Sequence, residues 1–214
     1  MEFIDPELLA YCEAHTSSEE EILQKITRET QAKVLMPRML SGPLQGKFLE
    51  LLVKMYRPQT ILEIGTYTGY SAICLAKGLG ESGKLITLDI NDELEDRVRG
   101  FFEESGLNEK IDYRLGNALD LIPQIPGDFD FVFIDADKEN YLTYYQLVID
   151  RVPSGGVILA DNVLWSGKVL PKGRKKLDKD TAALLDFNQF VEEDSRVENI
   201  LLPLRDGIML ARKL

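Results

Sequence analysis

"TILEIGTYTGYSAICLAKGLGESGKLITLDI", residues 60–90, holds two short apolar runs separated by a glycine-bearing turn and a helix-length segment. "TILEIG" reads as a buried strand, "SAICLAKGL" as a helix that covers it, and "KLITLDI" as the next strand. Strands buried on both faces lose the apolar-polar alternation of a half-exposed sheet, so this unit predicts parallel pairing through a crossover helix.

The alternation continues downstream. "ELEDRVRGFFEESGL" reads as a helix with a glycine stop, "IDYRLG" as a strand, "NALDLIPQI" as a short helix and "FDFVFID" as a strand. A helix over roughly residues 139–151 and the strand "GGVILADN" follow. After the helix "DKDTAALLDFNQFVEED", the runs "VENILLPL" and "GIMLARKL" lie only a few residues apart, which predicts an antiparallel pair and a mixed sheet at that end. Upstream, "SSEEEILQKITRETQAKVL", residues 17–35, predicts a helix with a serine cap and an acidic first turn, and a second helix starts near Pro43. The fold class is therefore α/β, with residues 1–57 forming a helical extension of a single domain spanning 1–214.

Composition narrows the function classes. The 214 residues, 44% hydrophobic and 29% charged, suit one soluble globular core. A net charge of −11 argues against a generic nucleic-acid binder, which needs a basic footprint, and against anionic lipid surfaces. No apolar run approaches the roughly 20 residues that span a bilayer. The opening "MEFIDPELLAYCEAH" lacks the basic start and apolar core of a signal peptide, so a cytoplasmic location is expected. Cys12 and Cys74 form no CxxC pattern and read as free thiols, and the one histidine, His15, reads as a solvated side chain.

Two groups of residues carry chemistry. "LEIGTYTGYSA" follows a strand and opens a helix, where Gly65 and Gly69 allow a tight turn and close approach of a ligand. Its spacing differs from the dinucleotide GxGxxG. Glu63 inside an apolar strand and Asp89 at the end of the next are costly to bury without partners, and an acidic strand end there can accept hydrogen bonds from a ribose. A nucleoside-containing cofactor is the reading, with NAD still open. Ser71 and "GNAL", 116–119, either add polar contacts or cap helices.

The second group stands at two later strand ends. "FVFID" delivers Asp135, and "GGVILADN" delivers Asp161 and Asn162. Each alone reads as a cap or ion-pair partner; together they are an all-oxygen donor set suited to Mg²⁺, with Ca²⁺ possible and Zn²⁺ disfavoured by the lack of thiolate or imidazole. Lys138, three residues beyond Asp135, is either a surface lysine or a group that orients a phenolate or takes a phenolic proton. Asp137 holds either a cofactor or Lys138.

The set "LEIGTYTGYSA", "LDI", "KIDYRLGNAL", "FDFVFIDADKENY", "GGVILADNVLW" and "LLPLRDGIMLARK" resembles the cation-dependent, S-adenosylmethionine-dependent O-methyltransferases of the caffeoyl-coenzyme A and catechol type, over about residues 36–213. The resemblance implies a Rossmann-like seven-stranded, mostly parallel sheet with a reversed final strand and helices on both faces, and a homodimer. It implies methyl-donor contacts at Glu63, Gly65, Thr66, Ser71, Asp89 and Ala118, with Ser41, Asp137 and, near the donor entrance, Met39. It implies a metal triad of Asp135, Asp161 and Asn162 binding Mg²⁺, or Mn²⁺ or Ca²⁺, with Lys138 as general base beside the Asp135 centre. Trp165, Arg205 and Asp206 become elements of the pocket for a catechol-like acceptor.

Plant caffeoyl-coenzyme A enzymes read DNTLWNG and VGDGI where this chain has "DNVLWSG" and "LRDGI", so a plant thioester acceptor is an alternative to a smaller catechol. The basic island "KVLPKGRKKLDKD", 168–180, is a solvated loop, a lid, or an attractor of an anionic acceptor. A transfer-RNA methyltransferase and a noncatalytic S-adenosylmethionine sensor are the remaining alternatives.

Overall fold

Seven strands form in the computed structural model, which describes residues 4–170 and 177–214. They are β1 (Thr60–Ile64), β2 (Lys84–Asp89), β3 (Ile111–Leu115), β4 (Phe131–Ile134), β5 (Val157–Asp161), β6 (Val197–Leu202) and β7 (Ile208–Lys213). They make one sheet in the order β3-β2-β1-β4-β5-β7-β6. The flanking helices are α1 (Pro6–Ala14), α2 (Glu21–Lys33), α3 (Gly42–Tyr56), α4 (Tyr70–Gly78), α5 (Glu95–Glu104), α6 (Ala118–Leu121), α7 (Tyr141–Val148) and α8 (Lys179–Glu193). The sheet is the Rossmann-like arrangement expected from the sequence: β7 runs antiparallel to both β5 and β6, and the pairs β1/β2, β2/β3 and β4/β5 are parallel.

Two compact units divide the chain, Pro6–Asn117 and a unit built on Ala118–Leu214. In the first, β1 and β2 pair from Thr60↔Lys84 to Ile64↔Leu88. Helices α3 and α4 approach closely because Gly46 and Gly78 carry no side chain: a Cβ on Gly46 would stand 2.7 Å from the Tyr70 ring, and one on Gly78 2.5 Å from Val53 Cβ. Helix α2 departs from the expected serine cap. It begins at Glu21 with Glu20 at the cap position and no side-chain cap bond, leaving Glu21 as the acidic residue of its first turn. Cys12 and Cys74 are free thiols, and burial pushes the Cys74 thiol well up, which keeps it unreactive.

In the second unit every side chain of β4 is fully buried, as its unbroken "FVFI" requires. Arg151 fastens the approach to β4 by donating to the carbonyls of Ile122 (2.7 Å), Ile125 (2.5 Å) and Gly127 (2.5 Å) while lying over Phe129. Helices α7 and α8 meet through edge-to-face contacts of Phe187 with Tyr141 and Tyr145. At the end of α8 the Arg196 guanidinium holds the Asp194 carboxyl down to about 2, against the opposing cost of burial. Among the described residues, no helix is long and apolar enough to cross a membrane.

Two outcomes follow from this packing. Gly207 has φ +90°, and a Cβ there would meet Leu164 Cγ at 2.4 Å and Leu164 N at 2.9 Å, so Gly207→Ala is expected to lower the stability measured by urea unfolding. The loss should be about 2–4 kcal/mol from backbone strain and overpacking. Asp194, depressed to about 2 in the folded chain, contributes stability above the unfolded carboxyl value and loses it as pH falls. The stability difference between the wild type and Asp194→Asn should therefore be constant from about pH 7 to 5 and close below about 4.

Candidate functional site

In the first unit, β1 runs into the turn Gly65–Gly69 before α4 begins at Tyr70. The turn is left-handed at Gly65 (φ 105°), Tyr67 (φ 50°) and Gly69 (φ 82°). Tyr67 is held in that conformation, which is uphill for a side-chain-bearing residue, from both ends. Its backbone N–H donates to Asp89 Oδ2 at 2.6 Å, and its hydroxyl donates to the carbonyls of Leu35 (3.0 Å) and Met36 (3.3 Å). The second Asp89 oxygen accepts from the Asn91 N–H at 2.8 Å. A carboxylate offers about four acceptor positions, so Asp89 shapes the turn and retains capacity for ligand hydroxyls.

Glu63 is fully buried. The β1/β2 register sets it opposite Thr87, whose hydroxyl donates to Glu63 Oε2 at 2.5 Å, and Thr87 Oγ1 lies 2.6 Å from Thr66 Oγ1. The structure thus joins Glu63 and Thr66 through Thr87, a residue the sequence reading did not single out. Ser71 is buried in the first turn of α4, and Ser41 is buried just before α3. Met39 is 54% exposed at the end of the short turn Pro37–Met39, in the segment whose start the Tyr67 hydroxyl fastens.

In the second unit, the last β4/β5 partners are Ile134 and Ala160, so Asp135 and Asp161 leave adjacent strands side by side. Asp161 is 1% exposed, and its Oδ1 accepts from the Asn162 N–H at 2.7 Å while Asn162 turns left-handed (φ 63°). Lys138, 8% exposed, donates to Asp135 Oδ1 at 3.2 Å and to the Tyr141 hydroxyl. The Tyr141 hydroxyl in turn donates to the Asp161 carbonyl at 2.9 Å. Burial, with Asp135 and Asp161 adding to it, pushes the Tyr141 phenol well above its ordinary range, so it stays protonated.

Asp137 is engaged elsewhere. Its oxygens accept from the Tyr144 hydroxyl and the Asn140 amide, both at 2.5 Å, while Lys138 turns to Asp135. Of the two roles the sequence left open for Asp137, holding Lys138 is therefore the one this geometry does not support. Ala118 is buried at the start of α6.

Trp165 and Ser166 are both left-handed (φ 47° and 53°), and the Lys138 and Lys168 ammonium groups lie 5.9 and 5.5 Å from the centre of the indole. The indole Nε1 is buried with no hydrogen-bond partner among the described residues. The turn at Arg205–Gly207 is laced to this segment: Asp206 Oδ1 accepts from the Ser166 N–H at 2.5 Å, the Asp206 carbonyl from the Leu164 N–H at 2.9 Å, and the Gly207 carbonyl from the Val163 N–H at 3.1 Å. Asp206, expected from the sequence to line a pocket, also acts as a brace for the backbone that carries Trp165.

The donor chemistry of this unit fits a hard divalent cation: two carboxylates on neighbouring strand ends and one amide side chain, all oxygen. Among the described residues, no group of three or more His, Cys, Asp or Glu side chains is placed to hold a metal ion. Residues 171–176 of the basic island lie outside the described residues.

The sequence matches the O-methyltransferase family over residues 13–214. The chain belongs to that family. This methyltransferase is 39% identical over 199 residues to caffeoyl-CoA O-methyltransferase 2 of Eucalyptus globulus, covering 88% of this chain and 81% of the relative. It is 40% identical over 200 residues to the caffeoyl-CoA O-methyltransferase of Zinnia elegans, covering 89% and 82%. Its fold superposes on the O-methyltransferase from Bacillus cereus in complex with SAH with a TM-score of 0.88, at 33% identity and 97% coverage of each chain. The SAH-bound methyltransferase of Podospora anserina gives a TM-score of 0.89 at 27% identity, covering 97% of this chain and 94% of that one.

Asp206→Ala removes the acceptor of a charge-assisted bond to the Ser166 N–H. Hydrogen exchange of that amide in the methyltransferase should quicken about tenfold, the factor that corresponds to a net bond of about 1.4 kcal/mol. Unchanged exchange would remove the brace.

Proposed function

We propose that this methyltransferase transfers a methyl group from S-adenosylmethionine to one hydroxyl of a vicinal dihydroxyphenyl acceptor of the kind carried by caffeoyl-CoA, and that it does so with a bound divalent cation, Mg²⁺ or alternatively Mn²⁺ or Ca²⁺. The observation that carries the reading is the pairing of Asp135 and Asp161 on adjacent strand ends, with the Lys138 ammonium on Asp135. The names of the 39–40% identical relatives favour the caffeoyl thioester over a smaller free catechol. The SAH in the two structural relatives is the demethylated form of the donor, which supports the donor assignment.

Glu63 and Asp89 are the acidic acceptors suited to the donor's hydroxyl groups, Gly65 and Thr66 give a turn that a ligand can approach, and Ser71, Ala118, Ser41, Asp137 and Met39 complete the donor contacts. Asp135, Asp161 and Asn162 hold the cation. When bound there, the cation supplies positive charge that makes a nearby phenolic hydroxyl more acidic. In its neutral amine form, Lys138 Nζ takes the phenolic proton as the new O–CH₃ bond forms and the S–CH₃ bond breaks, so the acceptor gains the methyl carbon and the sulfur keeps the bonding pair. Trp165 offers its ring face to the acceptor's aromatic ring, and its indole N–H, which has no partner among the described residues, suits a ligand oxygen. Arg205 and Asp206 are further elements of the acceptor pocket, and Asp206 also holds the backbone that carries Trp165.

Methyl transfer to caffeoyl-CoA and to free catechol should fall to background after chelation and return with Mg²⁺, with the thioester the better acceptor. Undiminished transfer by metal-free protein would sink the metal role, and transfer to tRNA alone would sink the acceptor. Lys138→Ala should lower kcat about 100-fold or more while calorimetry finds donor affinity nearly unchanged.

A further inference from the structure

The hydroxyl of Tyr141 lies between Lys138 and the backbone of β5, on the interior side of the lysine. Tyr141 is fully buried, and nothing in its sequence context separates it from the core aromatics Tyr144 and Tyr145 that follow on the same helix. Its hydrogen bonding does. The hydroxyl proton is committed to the Asp161 carbonyl at 2.9 Å, so only oxygen lone pairs face Lys138. The lysine must therefore be the donor in the Lys138–Tyr141 bond, and the hydroxyl cannot reverse that role without abandoning a buried carbonyl.

We infer that Tyr141 is a positioning residue that fixes the direction in which Lys138 presents its nitrogen to the acceptor. A tetrahedral nitrogen has three positions besides its bond to carbon. Asp135 Oδ1 takes one, at 3.2 Å, and the Tyr141 oxygen takes another. The third then has a single direction, whether it carries a proton or a lone pair. Without the hydroxyl the side chain can rotate about its terminal bonds, and the flexible stem of a lysine gives it several ways to do so. The centre of the Tyr141 ring is 4.5 Å from Nζ, behind the hydroxyl, and the ring alone does not select a rotamer of the amine. Because the hydroxyl also holds the Asp161 carbonyl, the lysine is referenced to the strand end that carries Asp161 as well as to Asp135.

The chain provides its own reporter. Trp165 is the only tryptophan, and Lys138 Nζ lies 5.9 Å from its ring, so the lysine charge perturbs the indole emission. Emission of the wild type, Tyr141→Phe, Lys138→Met and the double variant should be compared, with urea midpoints to verify that the phenylalanine variant is folded. The expected result is that Tyr141→Phe shifts the emission, and that the same substitution adds no shift in the Lys138→Met background. Emission of Tyr141→Phe identical to the wild type, or a shift that persists undiminished without Lys138, would overturn the inference.

A kinetic arm rests on the proposed methyl transfer. Tyr141→Phe should lower kcat about 10-fold, with KM for acceptor and donor within about twofold, because misdirection of the amine affects the reacting geometry and not ground-state binding. A kcat equal to the wild type would also overturn it. Absence of any methyl transfer by the wild type would defeat the proposed function, while the emission measurement would still decide whether Tyr141 directs Lys138.

Discussion

The parallel register of β4 and β5 is the constraint on which the rest of the second unit depends. It places two carboxylates at the ends of neighbouring strands, and that of Asp161 is buried. The chain answers with the Lys138 ammonium on Asp135 and the Asn162 N–H on Asp161. Tyr141 closes the arrangement by tying the lysine to the Asp161 carbonyl. Such a cluster is costly to a fold that needs only a core, which is why a cation bound by these oxygens is part of the proposed function.

Register does comparable work in the first unit. Pairing of β1 with β2 sets Thr87 opposite Glu63, so a buried carboxylate meets a hydroxyl donor. The end of β2 supplies Asp89, whose oxygens hold the Tyr67 and Asn91 N–H groups and so set the shape of the turn after β1. The turn is thus braced by the same acid proposed to meet the donor, which couples the folding of the loop to its readiness for ligand.

Much of this was legible in the sequence because strand ends are. Unbroken apolar runs such as "FVFI" place strands, and a charged residue at the end of such a run is visible without a structure. The antiparallel C-terminal pair followed from its short connection. What escaped were partners chosen by tertiary register or by helix geometry. Thr87 is an ordinary β-branched strand residue until β1 lies beside it, and Tyr141 reads as one more core aromatic until its hydroxyl is seen between Lys138 and β5. The Ser166–Asp206 bond spans 40 residues and depends on two left-handed turns that no local pattern announces. The expected serine cap of α2 failed because several polar residues precede that helix and propensity alone does not choose among them.

Asp135, Asp161 and Asn162 are proposed to form a single cation site. Titration of the metal-free chain with Mn²⁺, followed by electron paramagnetic resonance of the free ion, tests it without reference to donor or acceptor. One tight Mn²⁺ per chain is expected, displaced by Mg²⁺ and lost in both Asp135→Asn and Asp161→Asn; tight binding that survives both substitutions would rule this site out.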